Sequence, residues 1–241
     1  MEKQRLDKFI SSQLNITRSE AKNAIRSARV TVNGASIRDC GLVIDVDNSI
    51  VCCDGKEVEY KKYIYILMNK PKGVLSASND KTRQTVVDLV PDNLKRNGLF
   101  PVGRLDRDTT GILLITDDGI FAHDVISPKK MIPKSYIATL DGDVTDDMVE
   151  KFKNGVILAD GTKCKPAVLE PLGNRKARLI LCEGKYHEVK RMFGTVDLGV
   201  NELHRESIGE LKLPQNLEVG KCVEMNKNQL ILAQKSTAYT F

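Results

Sequence analysis

Two stretches of the sequence concentrate side chains able to do chemistry. The first is Gly103-Arg104-Leu105-Asp106-Arg107-Asp108-Thr109-Thr110-Gly111, which sets two carboxylates, two guanidinium groups and two hydroxyls between glycines. It runs directly into residues 112–115, a continuous apolar segment of the kind that forms a buried strand. Charges beside a core strand are costly unless they are paired. The residues alone leave two readings open: an Arg–Asp network that closes the loop over the core, or an active site built on a carboxylate, with Asp106 as the candidate. The second stretch is Glu183-Gly184-Lys185-Tyr186-His187-Glu188-Val189-Lys190-Arg191-Met192-Phe193. On a helix Val189, Met192 and Phe193 share one face, and His187, Lys190 and Arg191 share the other. That cationic face is either a solvated surface or a wall for phosphate, and it could hold a carboxylate ionised.

The elements that must position these groups fall into two regions, 1–60 and 61–241. In the first, Leu6, Phe9, Ile10 and Leu14 make a helical stripe. Thr17-Arg18-Ser19-Glu20 fits a capping box opening a second helix to about Ala28, with Ala21, Ala24, Ile25 and Ala28 apolar. Arg18, Lys22, Arg26 and Arg29 fall on one face of that helix without interleaved acids, an arrangement that repulsion disfavours unless an anion is the partner. Val30-Thr31-Val32-Asn33-Gly34 reads as a strand entering a hairpin turn, and strands are expected at 42–46 and 49–53. Residues 1–38 hold eight Lys/Arg and three Asp/Glu, whereas 39–60 hold one Lys and six acids, so one end of the region is a concentrated basic surface. A polar junction at 56–62 is expected to link the regions.

The second region offers strands at 63–68, 112–115, 136–140, 177–182 and 211–213. A helix is expected at 146–152, with acids in its first turn and an Asn154-Gly155 stop. Asp117-Asp118-Gly119 reads as a turn. No regular βαβ rhythm emerges, so the expected fold is α+β, a small N-terminal α/β domain followed by a mostly antiparallel sheet.

Composition bounds the partners. The 241 residues are 41% hydrophobic with a net charge of +5, which permits a polyanion without demanding one. Cys40, Cys52, Cys53, Cys164, Cys182 and Cys222 form no C-x-x-C pair and read as reduced thiols, and His123, His187 and His204 are scattered, so no metal site is expected. There is neither a signal-like N-terminus nor an apolar run of about 18 residues. The expectation is a cytoplasmic monomer with no membrane association.

Arg5-Leu6-Asp7-Lys8-Phe9, Thr17-Arg18-Ser19-Glu20-Ala21 and Val30-Thr31-Val32-Asn33-Gly34 together resemble an S4-type RNA-binding domain. The loop around Asp106, the following Leu113-Leu114-Ile115-Thr116-Asp117-Asp118-Gly119, the earlier Asn69-Lys70-Pro71-Lys72-Gly73 and the later Lys134-Ser135-Tyr136 and 183–192 resemble, in order, the motifs of the ribosomal pseudouridine synthases. Tyr186-His187, residues 165–170 and Glu202-Leu203-His204-Arg205-Glu206 are most similar to the small-subunit, 16S branch, although that branch has Gln where Glu188 stands and Gly where Glu210 stands.

The resemblance implies isomerisation of a flipped-out uridine in 16S ribosomal RNA, as folded RNA or a pre-ribosomal particle, with no cofactor. It implies that Asp106 acts at ribose C1′ or C2′, Lys190 keeps it ionised with Arg191 as the fallback, and Tyr136 stacks on the base. Arg104 fills the space left by the base or grips a phosphate. RNA contacts are expected from Arg5, Arg18, Lys22, Arg26, Arg29, His187 and Arg191, with Arg107 and Asp108 closing the loop. The alternatives are a 23S target, a non-catalytic assembly factor, or a glycosidase-like hydrolase.

Overall fold

In the computed structural model, which describes residues 2–236, the chain divides into two units. One holds the residues up to Ile64 together with Asn93–Gly98; the other holds Tyr65–Asp92 and the residues from Leu99 onward.

The first unit runs β1 (Lys3–Arg5), α1 (Leu6–Gln13), α2 (Arg18–Arg26), β2 (Val30–Val32), β3 (Ala35–Ser36), β4 (Val43–Asp45), β5 (Val51–Cys53) and β6 (Lys56–Glu57). Leu6, Phe9 and Ile10 of α1 and Ala21, Ala24 and Ile25 of α2 enter one core with Val30 and Val51. The capping box at Thr17 is complete: its hydroxyl accepts from the Glu20 N–H at 3.2 Å, and the Glu20 carboxylate accepts from the Thr17 N–H at 2.7 Å. Both helices stop sooner than their apolar periodicity suggested. Leu14 is the C-cap of α1 and is exposed, and Ala28 lies beyond α2 with φ 58°. Arg29 therefore leaves the helical face assigned to it.

Asn33 and Gly34, with φ of 50° and 82°, make the turn between β2 and β3. Asp54 and Gly55 repeat this chemistry, so Lys56–Glu57 is an edge strand paired to β5, not part of a linker.

The second unit contains β7 (Tyr65–Lys70), β8 (Phe100–Pro101), β9 (Thr110–Thr116), α3 (Gly119–Ile126), β10 (Lys134–Leu140), α4 (Asp146–Asn154), β11 (Val168–Gly173), β12 (Lys176–Leu181), α5 (Glu188–Gly194), β13 (Val200–Ile208), β14 (Leu211–Lys212), β15 (Cys222–Glu224) and α6 (Lys227–Ala233). Its sheet has the order β11-β12-β10-β13-β9-β7-β15, with β14 on β13 and β8 on β9. All pairings are antiparallel except the short parallel contact of β13 with β9. The fold is α+β with a mostly antiparallel sheet.

Leu67, Ile112 and Leu114 of the sheet pack with Phe121, Ala122 and Val125 of α3. Asp118 is not a simple turn residue: it caps α3, accepting from the N–H groups of Ile120 (2.9 Å) and Phe121 (3.2 Å), and it also accepts from the Tyr65 hydroxyl at 2.8 Å. Phe152 of α4 lies 5.3 Å from Phe193 of α5, ring to ring, which fixes α5 by its apolar face.

Candidate active site

β9 begins at Thr110, so the loop carrying Asp106 sits where the chain enters the central sheet. Three contacts set its shape. Lys70, at the end of β7, is fully buried, and its ammonium donates to the carbonyls of Pro71 (3.0 Å), Asp106 (3.1 Å), Arg107 (3.3 Å) and Thr109 (2.9 Å). Burial pushes this ammonium down to about 8, against the pull of Asp108 and Asp106. The Ser76 hydroxyl donates to Leu105 O and accepts from Leu105 N. Finally, Gly111 has φ 106°, and a Cβ there would lie 2.2 Å from the Arg205 carbonyl oxygen, so only glycine allows β13 to come this close. Arg107 does not join an Arg–Asp network; its Nε donates to Gly73 O at 3.1 Å and the Gly73 N–H donates to Arg107 O at 2.8 Å.

The Asp106 carboxylate opens into a cavity of about 560 Å³. Two side chains from the second stretch meet it: His187 Nε2 at 3.4 Å from one oxygen and Lys190 Nζ at 4.0 Å from the other. Lys190 is nearer to Asp108, at 2.6 Å, and holds that carboxyl below its usual range. Lys190 thus bridges both carboxylates of the loop instead of serving Asp106 alone. His187 is not part of α5 but its N-cap, with φ 48°, and its ring stacks on Tyr186 at 3.9 Å. Arg191 turns away: its guanidinium pairs with Asp160 and donates to Tyr186 O, so it does not reach Asp106 as the fallback cation. Successive helical residues diverge by about 100°, which is why Lys190 and Arg191 cannot face one carboxylate together.

Tyr136, on β10, is buried and lines the same cavity. Arg104 also lines it and is exposed. Three further charged residues that line it were not assigned a role from the sequence. Lys134 is buried, donates to Val125 O (3.1 Å) and Ile132 O (2.9 Å), and is pushed down to about 8 by burial. Arg205, on β13, is 4% exposed, donates from Nε to Ile112 O at 2.9 Å, and lies 5.9 Å from the centre of the Tyr136 ring. Glu188 is buried and accepts from the Lys185 backbone N–H at 2.9 Å. No local signal marks any of them, because their burial is decided by distant strands.

Glu183, Glu188 and Cys164 offer ligand atoms within 4.8 Å of one another, a group that could hold a cation. The Lys185 ammonium already sits against both carboxylates. His204 faces away from the cavity, with Nδ1 2.9 Å from the Thr110 hydroxyl.

On the first unit, Arg5 and Arg18 lie 3.1 and 3.8 Å from Asp7, and Arg29 pairs with Asp54. Two of the cations expected on the α2 face, Arg18 and Arg29, therefore meet carboxylates from outside the helix. Lys22 and Arg26 have no ion pair among the described residues. Arg5, Arg18 and Arg29 keep half-exposed guanidinium groups, so each can still present donors to a phosphate.

A cleft that sets a carboxylate against a histidine and a lysine, in a chain that also carries a small unit with a basic helix, has the form of an RNA-modifying enzyme. Residues 64–195 match the model of the RNA pseudouridylate synthase family and residues 4–50 that of the S4 domain. The chain is 38% identical to an uncharacterised RNA pseudouridine synthase of Bacillus subtilis, YtzG, over 97% of this chain and all of that one. It is 37% identical to ribosomal small subunit pseudouridine synthase A of Escherichia coli, over 94% of this chain and 98% of that one. A crystal structure of a pseudouridylate synthase superposes with a TM-score of 0.67 at 33% identity, covering 95% of this chain and 99% of that one. The chain therefore belongs to the RNA pseudouridylate synthase family, isomerases that act on RNA, and carries an S4 domain ahead of the catalytic fold.

Proposed function

We propose that this protein converts one uridine of 16S ribosomal RNA to pseudouridine, with Asp106 as the catalytic carboxylate. The observation that carries the chemistry is the Asp106 carboxylate in an open cavity, with His187 at 3.4 Å and Lys190 at 4.0 Å and the buried Tyr136 on the same wall. The near full-length likeness to the Escherichia coli small-subunit enzyme supports the 16S target.

The reaction breaks the bond between ribose C1′ and N1 of uracil, turns the base and rejoins it through C5. The target must first leave its stack, at a cost of a few kcal/mol, and be held against an aromatic surface. Tyr136 supplies that surface. Asp106 acts either as nucleophile at C1′ or as the base that takes the C2′ proton, and both roles use its carboxylate, which Lys190 faces at 4.0 Å. Arg104, which lines the cavity, contacts the RNA beside the flipped base in this reading. On the S4 unit Arg5, Arg18, Lys22, Arg26 and Arg29 grip phosphate.

The test is to map pseudouridine in 16S and 23S rRNA from cells lacking the gene, complemented with wild type or Asp106→Asn. Loss of one 16S site, restored only by wild type, is the expected result. A missing site in 23S rRNA would refute the target, and restoration by Asp106→Asn would refute the role of Asp106.

A further inference from the structure

Among the described residues of the catalytic unit, Arg205 is the one strongly basic side chain whose burial its protein neighbours do not account for. Its Nε is satisfied by Ile112 O, and its backbone is fixed by the contact with Gly111. Its Nη2 is buried without any hydrogen-bond partner, and no carboxylate lies within ion-pairing distance of its guanidinium among the described residues. The neighbouring Glu206 is not available, since it accepts from Arg178 at 2.6 Å and from Ser135 at 2.8 Å. The buried lysines of this unit are satisfied differently, Lys70 by four carbonyls and Lys134 by two. A buried guanidinium lacking both counter-charge and acceptor is costly, and such a group calls for an explanation.

We propose that Arg205 is a catalytic residue that binds a carbonyl oxygen of the target uracil and stabilises the negative charge the base carries while it is detached from the ribose. The proposal rests on the uridine chemistry assigned to Asp106 above. The Arg205 guanidinium lies over the Tyr136 ring, 5.9 Å from its centre, and both line the cavity into which Asp106 opens, so a uracil brought against Tyr136 comes within reach of it.

When the C1′–N1 bond breaks, its electron pair stays on the base, and the charge spreads over N1, O2 and O4. On the sugar, either C1′ bonds to the Asp106 carboxylate, or Asp106 takes the C2′ proton and a C1′=C2′ double bond forms. The base then turns by half a revolution about the axis through N3 and C6, which brings C5 to the place of N1 and O4 to the place of O2. C5 bonds to C1′, releasing the ester or recovering the C2′ proton. C5 loses its proton and N1 gains one, so no atom is gained or lost. A fixed donor at the O2/O4 position faces a carbonyl oxygen before and after the turn, and faces the greatest negative charge between them. A preorganised donor is worth most where charge develops, and Arg205 is itself buried.

The experiment is single-turnover conversion of rRNA by wild type, Arg205→Gln and Arg205→Lys, with RNA affinity and melting temperature measured for each. Arg205→Gln is expected to slow conversion by about 100-fold or more, the effect of removing a donor to developing charge, with affinity almost unchanged. Arg205→Lys keeps the charge but not the fork of donors, and is expected to lose about tenfold. RNA carrying 5-fluorouridine at the target supplies a base that holds the electron pair more readily. The Arg205→Lys defect in consumption of the target nucleoside is expected to shrink with that RNA.

Conversion by a folded Arg205→Gln at the wild-type rate would overturn the proposal. So would an Arg205→Lys defect of the same size for both bases, which would make Arg205 a structural residue. Should Arg205→Gln fail to fold, the Arg205→Lys comparison decides. Absence of pseudouridine with the wild-type protein would instead refute the underlying assignment of function.

Discussion

Replacing Lys70 with methionine removes the group that organises the Asp106 loop from beneath while leaving every residue of the loop unchanged. The Lys70 ammonium donates to Asp106 O, Arg107 O and Thr109 O at 3.1, 3.3 and 2.9 Å, and to Pro71 O at 3.0 Å. Each buried carbonyl left without a donor costs about 1–3 kcal/mol. Removing a fully buried charge returns several kcal/mol of desolvation. The net loss is then about 2–4 kcal/mol, and at about 2–4 °C per kcal/mol for a unit of this size it corresponds to a melting temperature lower by roughly 5–15 °C. The effect on catalysis should be larger in proportion, because a displacement of the reacting carboxylate by about 1 Å costs on the order of 100-fold. Thermal melting and single-turnover conversion at a temperature where the variant is fully folded measure the two effects separately. A Lys70→Met protein that melts within about 2 °C of wild type and converts RNA at the same rate would refute the reasoning.

Three further outcomes are expected. Glu188 is pushed up to about 7, chiefly by burial and then by the hydrogen bond with Glu183, while Lys185 and Cys164 also face it. Because its folded-state value is raised, its stabilising contribution is complete below its ordinary value of 4.5 and is lost as pH rises through about 7. Glu188→Gln, which mimics the neutral acid at every pH, should therefore melt higher than wild type above neutrality and close to it in acid; parallel melting curves across pH would contradict this. Asp108 is mostly exposed and pairs with Lys190 at 2.6 Å, so Asp108→Asn should change conversion by less than about threefold, whereas Lys190→Met should lower it about tenfold or more. Single-turnover rates check both, and the reverse order would mean that Lys190 serves only to anchor the loop. Lys22→Glu together with Arg26→Glu should weaken RNA binding and flatten its salt dependence by about two units of slope without altering the rate on bound RNA, and unchanged affinity would return that helix face to solvent.

Much of the local structure was legible in the residues. Thr17 with Glu20, Asn33 with Gly34, and the acid-led helix ending at Asn154-Gly155 all carry signals that act within one turn of chain. The two chemical stretches were legible as separate segments, and the structure brings Asp106 within reach of His187 and Lys190. The assignment of Lys190 to Asp106 alone overlooked the closer Asp108, since neighbouring acids in a loop cannot be ranked by distance from sequence.

β13 was missed as a strand because its register against β10 shifts at Ser135/Tyr136 and at Thr139/Leu140, which spoils the two-residue period. α3 was missed because Asp118-Gly119 serves equally well as a turn and as a cap. α6 could have been found: Asn226 and Gln229 form a capping box just before an apolar run. Lys70 and Arg205 had no such signal. A lysine beside proline and an arginine among charged residues both read as exposed, and only the loop carbonyls and Gly111, supplied by other strands, bury them.

The central claim is that the Asp106 carboxylate does the chemistry. The direct measurement is single-turnover pseudouridine formation by Asp106→Asn beside wild type on the same rRNA, with affinity measured in parallel. The asparagine keeps the size and shape of the side chain and removes the charge that His187 and Lys190 face. The account predicts no detectable conversion with RNA still bound at near wild-type affinity. Conversion at a rate approaching wild type would contradict it.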